Sequence, residues 1–327
     1  MKKSRLFTSA ATLATACILG AGLTGFAAAD AAETNAVDVV AVLQDIAPDA
    51  VANVAASAQT DADTAVKVTV PAGGSVEVPK DPSDGLHVTT PGDAPNVTIG
   101  LPFADQADDA AASQKAGVVV YDNNNGSSTV PVTRPDGGVQ ITTVIDDANA
   151  PKRYAYPITV PGEQAVHLLD DGAAYIGSED GVAISAYIPA PWAKDANGDP
   201  VATHFEVNGD VLTQVVEFAP QTAFPVVADP QFAWYWGLPG VKTTRAETRQ
   251  LMGIGAGPTG PGGAAKACGA LLKMAGPVGV AAAVLCGINA VSIMYNATKA
   301  YNAGQCAHLL ISPGVIGTVP YKDSYCR

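Results

Sequence analysis

From residue 66 to residue 227 the chain repeatedly alternates apolar and polar residues with period two, in short runs parted by turn-forming dipeptides. Successive side chains that point to opposite faces are the mark of a β-strand with one face buried. The runs fall at 66–70, 75–78, 97–101, 118–121, 139–145, 164–169, 173–176, 183–188, 204–207 and 211–218. Asp136-Gly137, Asp171-Gly172, Asp180-Gly181 and Asn208-Gly209 stand between or beside them. Asn208-Gly209 lies inside one long alternating stretch and predicts a hairpin with a type I′ turn, because Asn and Gly both tolerate positive φ. Many short strands at this spacing predict an antiparallel β-sandwich-like domain.

Either side of this region the period changes. In 34–58, Val37, Val40, Leu43 and Ile46 recur at helical spacing, with Pro48 as a break, which predicts an amphipathic packing helix. Beyond Phe224-Pro-Val-Val-Ala-Asp-Pro230 comes the aromatic run Trp234-Tyr235-Trp236, a candidate interface or an interdomain packing cluster. Thr244 and Glu247 then form a capping-box pattern, predicting a helix over 244–252. Residues 253–263 are Gly/Pro-rich and read as a linker.

No charge occurs between Lys273 and Lys299. A bilayer-contacting segment over 274–298 is one reading of this run. The other is a soluble antiparallel helical hairpin turning at Pro277, which lies nine residues from both Cys268 and Cys286. That symmetry favours pairing Cys268 with Cys286, leaving Cys306 for Cys326. The predicted architecture is therefore multi-domain. A helical segment (30–62) and an acidic β-rich domain (63–230) precede a linker (231–263). A small disulfide-stapled α-helical domain with a non-helical tail (264–327) ends the chain.

The ends and the cysteines bear on location. Lys2, Lys3 and Arg5 precede an uncharged run that closes on Ala27-Ala28-Ala29. This is the pattern of a secretory signal peptide over 1–29, cleaved near Ala29-Asp30. The run is long enough to span a bilayer, but Gly20, Gly22, Gly25 and the cleavable triplet favour removal. Past residue 29 the chain keeps four cysteines, all within the last 60 residues. An even set in an exported chain reads as two disulfides, and no C-x-x-C pair argues for zinc.

Charge is divided between the halves. Residues 30–229 carry seven basic and 29 acidic side chains, net −22, whereas residues 230–327 carry eight and two, net +6. The acidic part excludes nucleic acid as a partner, since phosphate binding needs Lys and Arg. The cationic part is matched to an anionic surface or to the acidic part of its own chain.

Three stretches carry a resemblance. They are Val120-Tyr-Asp with Thr129-Val-Pro-Val and Val139-Gln-Ile-Thr-Thr-Val-Ile-Asp, the loop Ala190-Pro-Trp-Ala-Lys-Asp-Ala-Asn-Gly198, and Phe224–Pro230. Together with the cysteine-bearing tail from Tyr301 to Arg327, they resemble a module in uncharacterised secreted proteins of high-GC Gram-positive bacteria. The resemblance spans 117–327 and implies export and architecture, with no catalytic residues attached.

A search for chemistry returns little. His87, His167, His204 and His308 have no partner at metal-ligand spacing, and neither H-E-x-x-H nor G-x-S-x-G occurs. Asp108-Asp109 and Asp146-Asp147 are acids of the kind used in glycoside hydrolysis or calcium binding, but read better as solvated loops. Asp195-Ala-Asn-Gly-Asp199 reads better as a turn than as a calcium loop. No catalytic residue, metal or cofactor is expected. The leading expectation is a non-enzymatic protein that interacts at the cell envelope or outside the cell. The rivals are a bacteriocin-like membrane-active hairpin shielded by the acidic domain, and a hydrolase whose carboxylates meet only in three dimensions.

Overall fold

A computed structural model describes residues 38–55, 61–70, 73–90, 96–112, 115–135, 137–179, 184–234, 240–253, 289–312 and 315–327. Every strand pair among them is antiparallel, as the alternation predicts.

Seven strands form one sheet, in the order β1 (Thr64–Thr69), β2 (Ser75–Pro79), β3 (Leu86–Thr89), β4 (Val97–Ile99), β9 (Arg153–Thr159), β15 (Val211–Glu217) and β14 (Ala202–Asn208). The second sheet runs β10 (Ala165–Leu168), β11 (Ala174–Gly177), β12 (Ile184–Ile188), β17 (Gln231–Trp234), β8 (Val139–Ile145), β7 (Ser127–Thr133), β6 (Val119–Asp122) and β5 (Ala111–Ala112). Strand β16 (Val226–Ala228) joins it beside β8 and carries β13 (Ala193–Lys194) on its other edge. A single buried apolar cluster draws on both sheets. Val76, Ile99 and Tyr156 come from the first, and Ile141, Ile176 and Phe232 from the second.

The second sheet also buries much of its outer face. Helix α1, described over 38–46, and a 3-10 turn at Pro48–Ala50 lie over β6, β7, β8 and β16. Val40, Leu43 and Val51 meet Val120, Val132, Val144 and Val227 there. Two further ties hold this segment. Ala55 N donates to Thr133 O, and the Arg134 guanidinium donates to the carbonyls of Asp49 and Ala52. The helical period at 37–46 is thus a packing face, and Pro48 ends the helix at the expected place.

The described part of the C-terminal region has two helices, which pack on each other and beside a small sheet. Helix α2 (Arg245–Leu251) carries the Thr244/Glu247 capping box, and α3 (Ala290–Asn302) ends the uncharged run. Strands β18 (Val241–Lys242), β19 (Cys306–Ser312) and β20 (Val315–Tyr321) form a third sheet. The expected non-helical tail is thus a β-hairpin; Leu309 to Ile311 and Val315 to Val319 supply its β-branched and apolar residues. Leu310 and Val319 pack on Tyr175 and Tyr187, which project from the outer face of β11 and β12.

One turn differs from its expected form. Asn208 pairs with Val211, so Gly209 and Asp210 make the two-residue loop. Gly209 has φ +58°, and Asp210 is not among the residues with positive φ. Positive φ at the first loop position alone is the type II′ pattern, which needs glycine there, rather than type I′.

Candidate interaction surfaces

The outer face of the seven-stranded sheet is open along β9 and β14. In β9, Tyr154, Tyr156 and Ile158 enter the core, while Arg153, Ala155, Pro157 and Thr159 are exposed. In β14, Ala202, His204, Glu206 and Asn208 are exposed in the same way. The pairing register aligns these side chains in rows. Lys67, Glu77, His87, Thr98 and Thr159 follow one another across five strands. Arg153, Val215 and His204 form another row, and Ala155, Thr213 and Glu206 a third.

Charges on this face are matched pair by pair. Nη1 and Nη2 of Arg153 both donate to Glu206, and Lys67 pairs with Glu77. These contacts raise the pKa of Arg153 and of Lys67, and Arg153 lowers that of Glu206. His204 lies between two carboxylates, with Nδ1 3.3 Å from Glu217 and Nε2 3.5 Å from Glu206. The result is a broad surface on which charged and hydroxyl groups alternate with small apolar side chains such as Ala155, Pro157 and Val215.

A second surface lies where the β10–β11 turn meets α3. Asp171 accepts hydrogen bonds from Ser292 Oγ at 2.7 Å and Asn296 Nδ2 at 2.9 Å. Asp170 pairs with Lys299 at 2.9 Å. Residues 292, 296 and 299 occupy one helix face, so two adjacent carboxylates grip two turns of α3. Beside them opens a cleft of about 370 Å³, lined by Leu168, Leu169, Ala300, Ala303 and Pro320 among others. Leu168, which lines it, is exposed, as are Val291 and Tyr295 on α3.

The acids considered for chemistry are tied into loops. Asp195 Oδ1 accepts from the backbone of Asn197 and Asp199, and Oδ2 from Ala223 N, which is a turn device. Asp108 accepts from Asn124 Nδ2, and Asp147 from Asn149 N. Burial, then Asp122 and Asp147, raise the pKa of Asp146. His87 meets Thr98, and His167 stacks on Tyr175 with ring centroids 4.6 Å apart. His308 lies edge-on to Tyr321. Among the described residues no group of three His, Cys, Asp or Glu is placed to hold a metal.

The aromatic and cysteine candidates part company. Trp234 is 1% exposed, stacks with Phe232, and belongs to the core shared by the two large sheets. Its indole is a core side chain and offers no surface to a partner, because position 234 faces inward on β17. Tyr235 and Trp236 lie outside the described residues. Cys306 and Cys326 form a disulfide. Cys268 and Cys286 lie outside the described residues, as do 274–288 of the proposed membrane-contacting run. Residues 290–298 of that run belong to α3, where Ile293, Asn296 and Ala297 are buried against the rest of the protein. Among the described residues no helix is long and apolar enough to cross a membrane.

Sequence reasoning missed Asp229. It is 2% exposed, accepts from Trp192 N at 2.9 Å, and meets Gln140 Nε2 at 3.5 Å. Gln140 in turn accepts from Arg134 at 2.6 Å. A polar chain therefore runs from the α1 segment through Arg134 and Gln140 to the 192–193 loop. Burial pushes Asp229 up to about 8, against the opposing pull of the Trp192 hydrogen bond. The available signal was an acid directly before Pro230 in an otherwise apolar stretch.

Comparison with protein-family models, with curated proteins and with solved structures gives no match to this chain.

Proposed function

We propose that this chain is an exported, non-enzymatic interaction protein of the cell envelope or extracellular space, built on a β-sandwich with a separate C-terminal domain. The observation that carries the reading is the open face of the seven-stranded sheet. Its side chains are aligned across strands by register, and its charges are already paired. Such a surface is suited to a broad contact with a partner. Residues 1–29 act as the export signal in this account. The Cys306–Cys326 disulfide fits an oxidising compartment.

Sedimentation of purified residues 30–327 with isolated cell envelopes tests the reading. The protein should pellet with envelopes, and reversing charge on the open face with Arg153→Glu plus Lys67→Glu should abolish this without unfolding the protein. Failure to pellet, or turnover of a cell-wall polymer by the purified protein, would overturn it.

A further inference from the structure

Among the described residues, the C-terminal region is assembled from two stretches of chain, 240–253 and 289–327, that are far apart in sequence. We infer that residues 240–251, together with the β10–β11 turn, hold residues 289–327 without the covalent link between the two stretches. The C-terminal segment then stays on the body as a separate polypeptide when the chain is cut between 254 and 288. This goes beyond the proposed function and does not depend on it.

The contact is built from buried, directional bonds. Thr243 Oγ1 donates to Ala307 O at 2.7 Å, Ala307 N donates to Thr248 Oγ1 at 3.0 Å, and the two hydroxyls meet at 2.8 Å. The Tyr321 phenol OH donates to Thr243 O at 2.8 Å. Two threonines on one stretch thereby satisfy both backbone groups of Ala307 on the other, extending the two-residue β18–β19 pairing.

Arg245 adds a charged anchor. Its Nη1 donates to Tyr301 O at 2.9 Å and to Gln305 O at 2.7 Å, and its guanidinium lies 3.9 Å over the Tyr301 ring. These carbonyls lie at and just past the C-terminus of α3, where a cation also complements the helix dipole. Lys242 pairs with Asp323 at 2.8 Å, just past the end of β20, so these contacts converge on the open end of the hairpin near Cys306.

The segment is also preorganised. Its disulfide joins Cys306 to Cys326 within the segment itself, so a cut between 254 and 288 leaves it intact. A closed hairpin loses less freedom on binding than an open one. The β10–β11 turn adds an independent grip, because Asp171 holds Ser292 and Asn296.

The test is a full chain with a specific protease site in place of 255–261, cut after folding. Non-reducing denaturing gels should show two pieces, and size exclusion at about 10 μM should show them co-eluting. Arg245→Ala in the cut protein should weaken retention at least about tenfold, as expected for a lost charged hydrogen-bond donor. A C-terminal piece that elutes alone from a folded body would overturn the inference. So would retention that Arg245→Ala leaves unchanged.

Discussion

The two large sheets share one core and differ in their outer faces. In β9 of the seven-stranded sheet, exposed and buried residues alternate without exception, whereas β7 and β8 of the other sheet are buried along their whole length. The difference lies in what covers them. Helix α1 covers β6 to β8, and the C-terminal hairpin covers β11 and β12. Among the described residues, α1 and the C-terminal hairpin cover one sheet, while the outer side of β9 and β14 in the other stays exposed.

Placing one charge on each outer face would break this comparison if it is wrong. Val132→Asp buries a carboxylate beneath α1 and should cost more than about 3 kcal/mol, or prevent folding. Ala155→Asp, on the exposed side of β9, should stay within about 0.5 kcal/mol in denaturant titration. Equal costs would mean that both faces are covered.

The elements that close the covered sheet give two smaller effects. Removing the disulfide with Cys306→Ser and Cys326→Ser opens a loop with a sequence separation of 20, and should cost about 3 kcal/mol. Asp171→Ala strands the Ser292 hydroxyl and the buried Asn296 amide, and should cost about 1–3 kcal/mol. Both losses should be absent from melting of any variant that already lacks the C-terminal contact.

Asp229 sharpens the comparison through pH. Its folded pKa, about 8, stands above the ordinary value of 3.8, so the native state holds a proton that the unfolded state releases. The associated stability is fully present below about pH 4 and is lost progressively as pH rises towards 8, by at most about 1.4 kcal/mol per unit. Asp229→Asn should flatten this slope in melting temperatures measured from pH 5 to 8. An unchanged slope would show that Asp229 is already ionised in the fold. The smallest expected effect is Lys299→Ala. Its exposed pair with Asp170 is screened by solvent, and the melting temperature should not move measurably.

Legibility in the sequence followed the same division. Strands with one open face, such as β14 and β15, were plain because alternation survives in them. Strand β7 reads Ser-Ser-Thr-Val-Pro-Val-Thr and buries all seven residues, so period two carried little signal. Strand β9 contains Pro157, which argues against a central strand, yet it lies between β4 and β15. There Pro157 accepts from Gly100 N, and its ring fills the space that a side chain at Gly100 would need. The helical spacing at 37–46, the Thr244/Glu247 box and the Cys306–Cys326 pairing were all legible because each rests on local or countable chemistry. The open face was not, because it exists only once register aligns residues from strands as distant as 67 and 159. Asp229 was hidden for a similar reason: burial, which a sequence does not display, determines its behaviour.

The central claim is that the open face of the seven-stranded sheet is where this protein meets its partner. Hydroxyl-radical footprinting of residues 30–327, free and bound to isolated envelopes, tests it directly. The account predicts protection at Arg153, Pro157 and His204 on binding, with Val291 and Tyr295 of α3 unchanged. Protection confined to α3, with the sheet face as reactive as in the free protein, would contradict it.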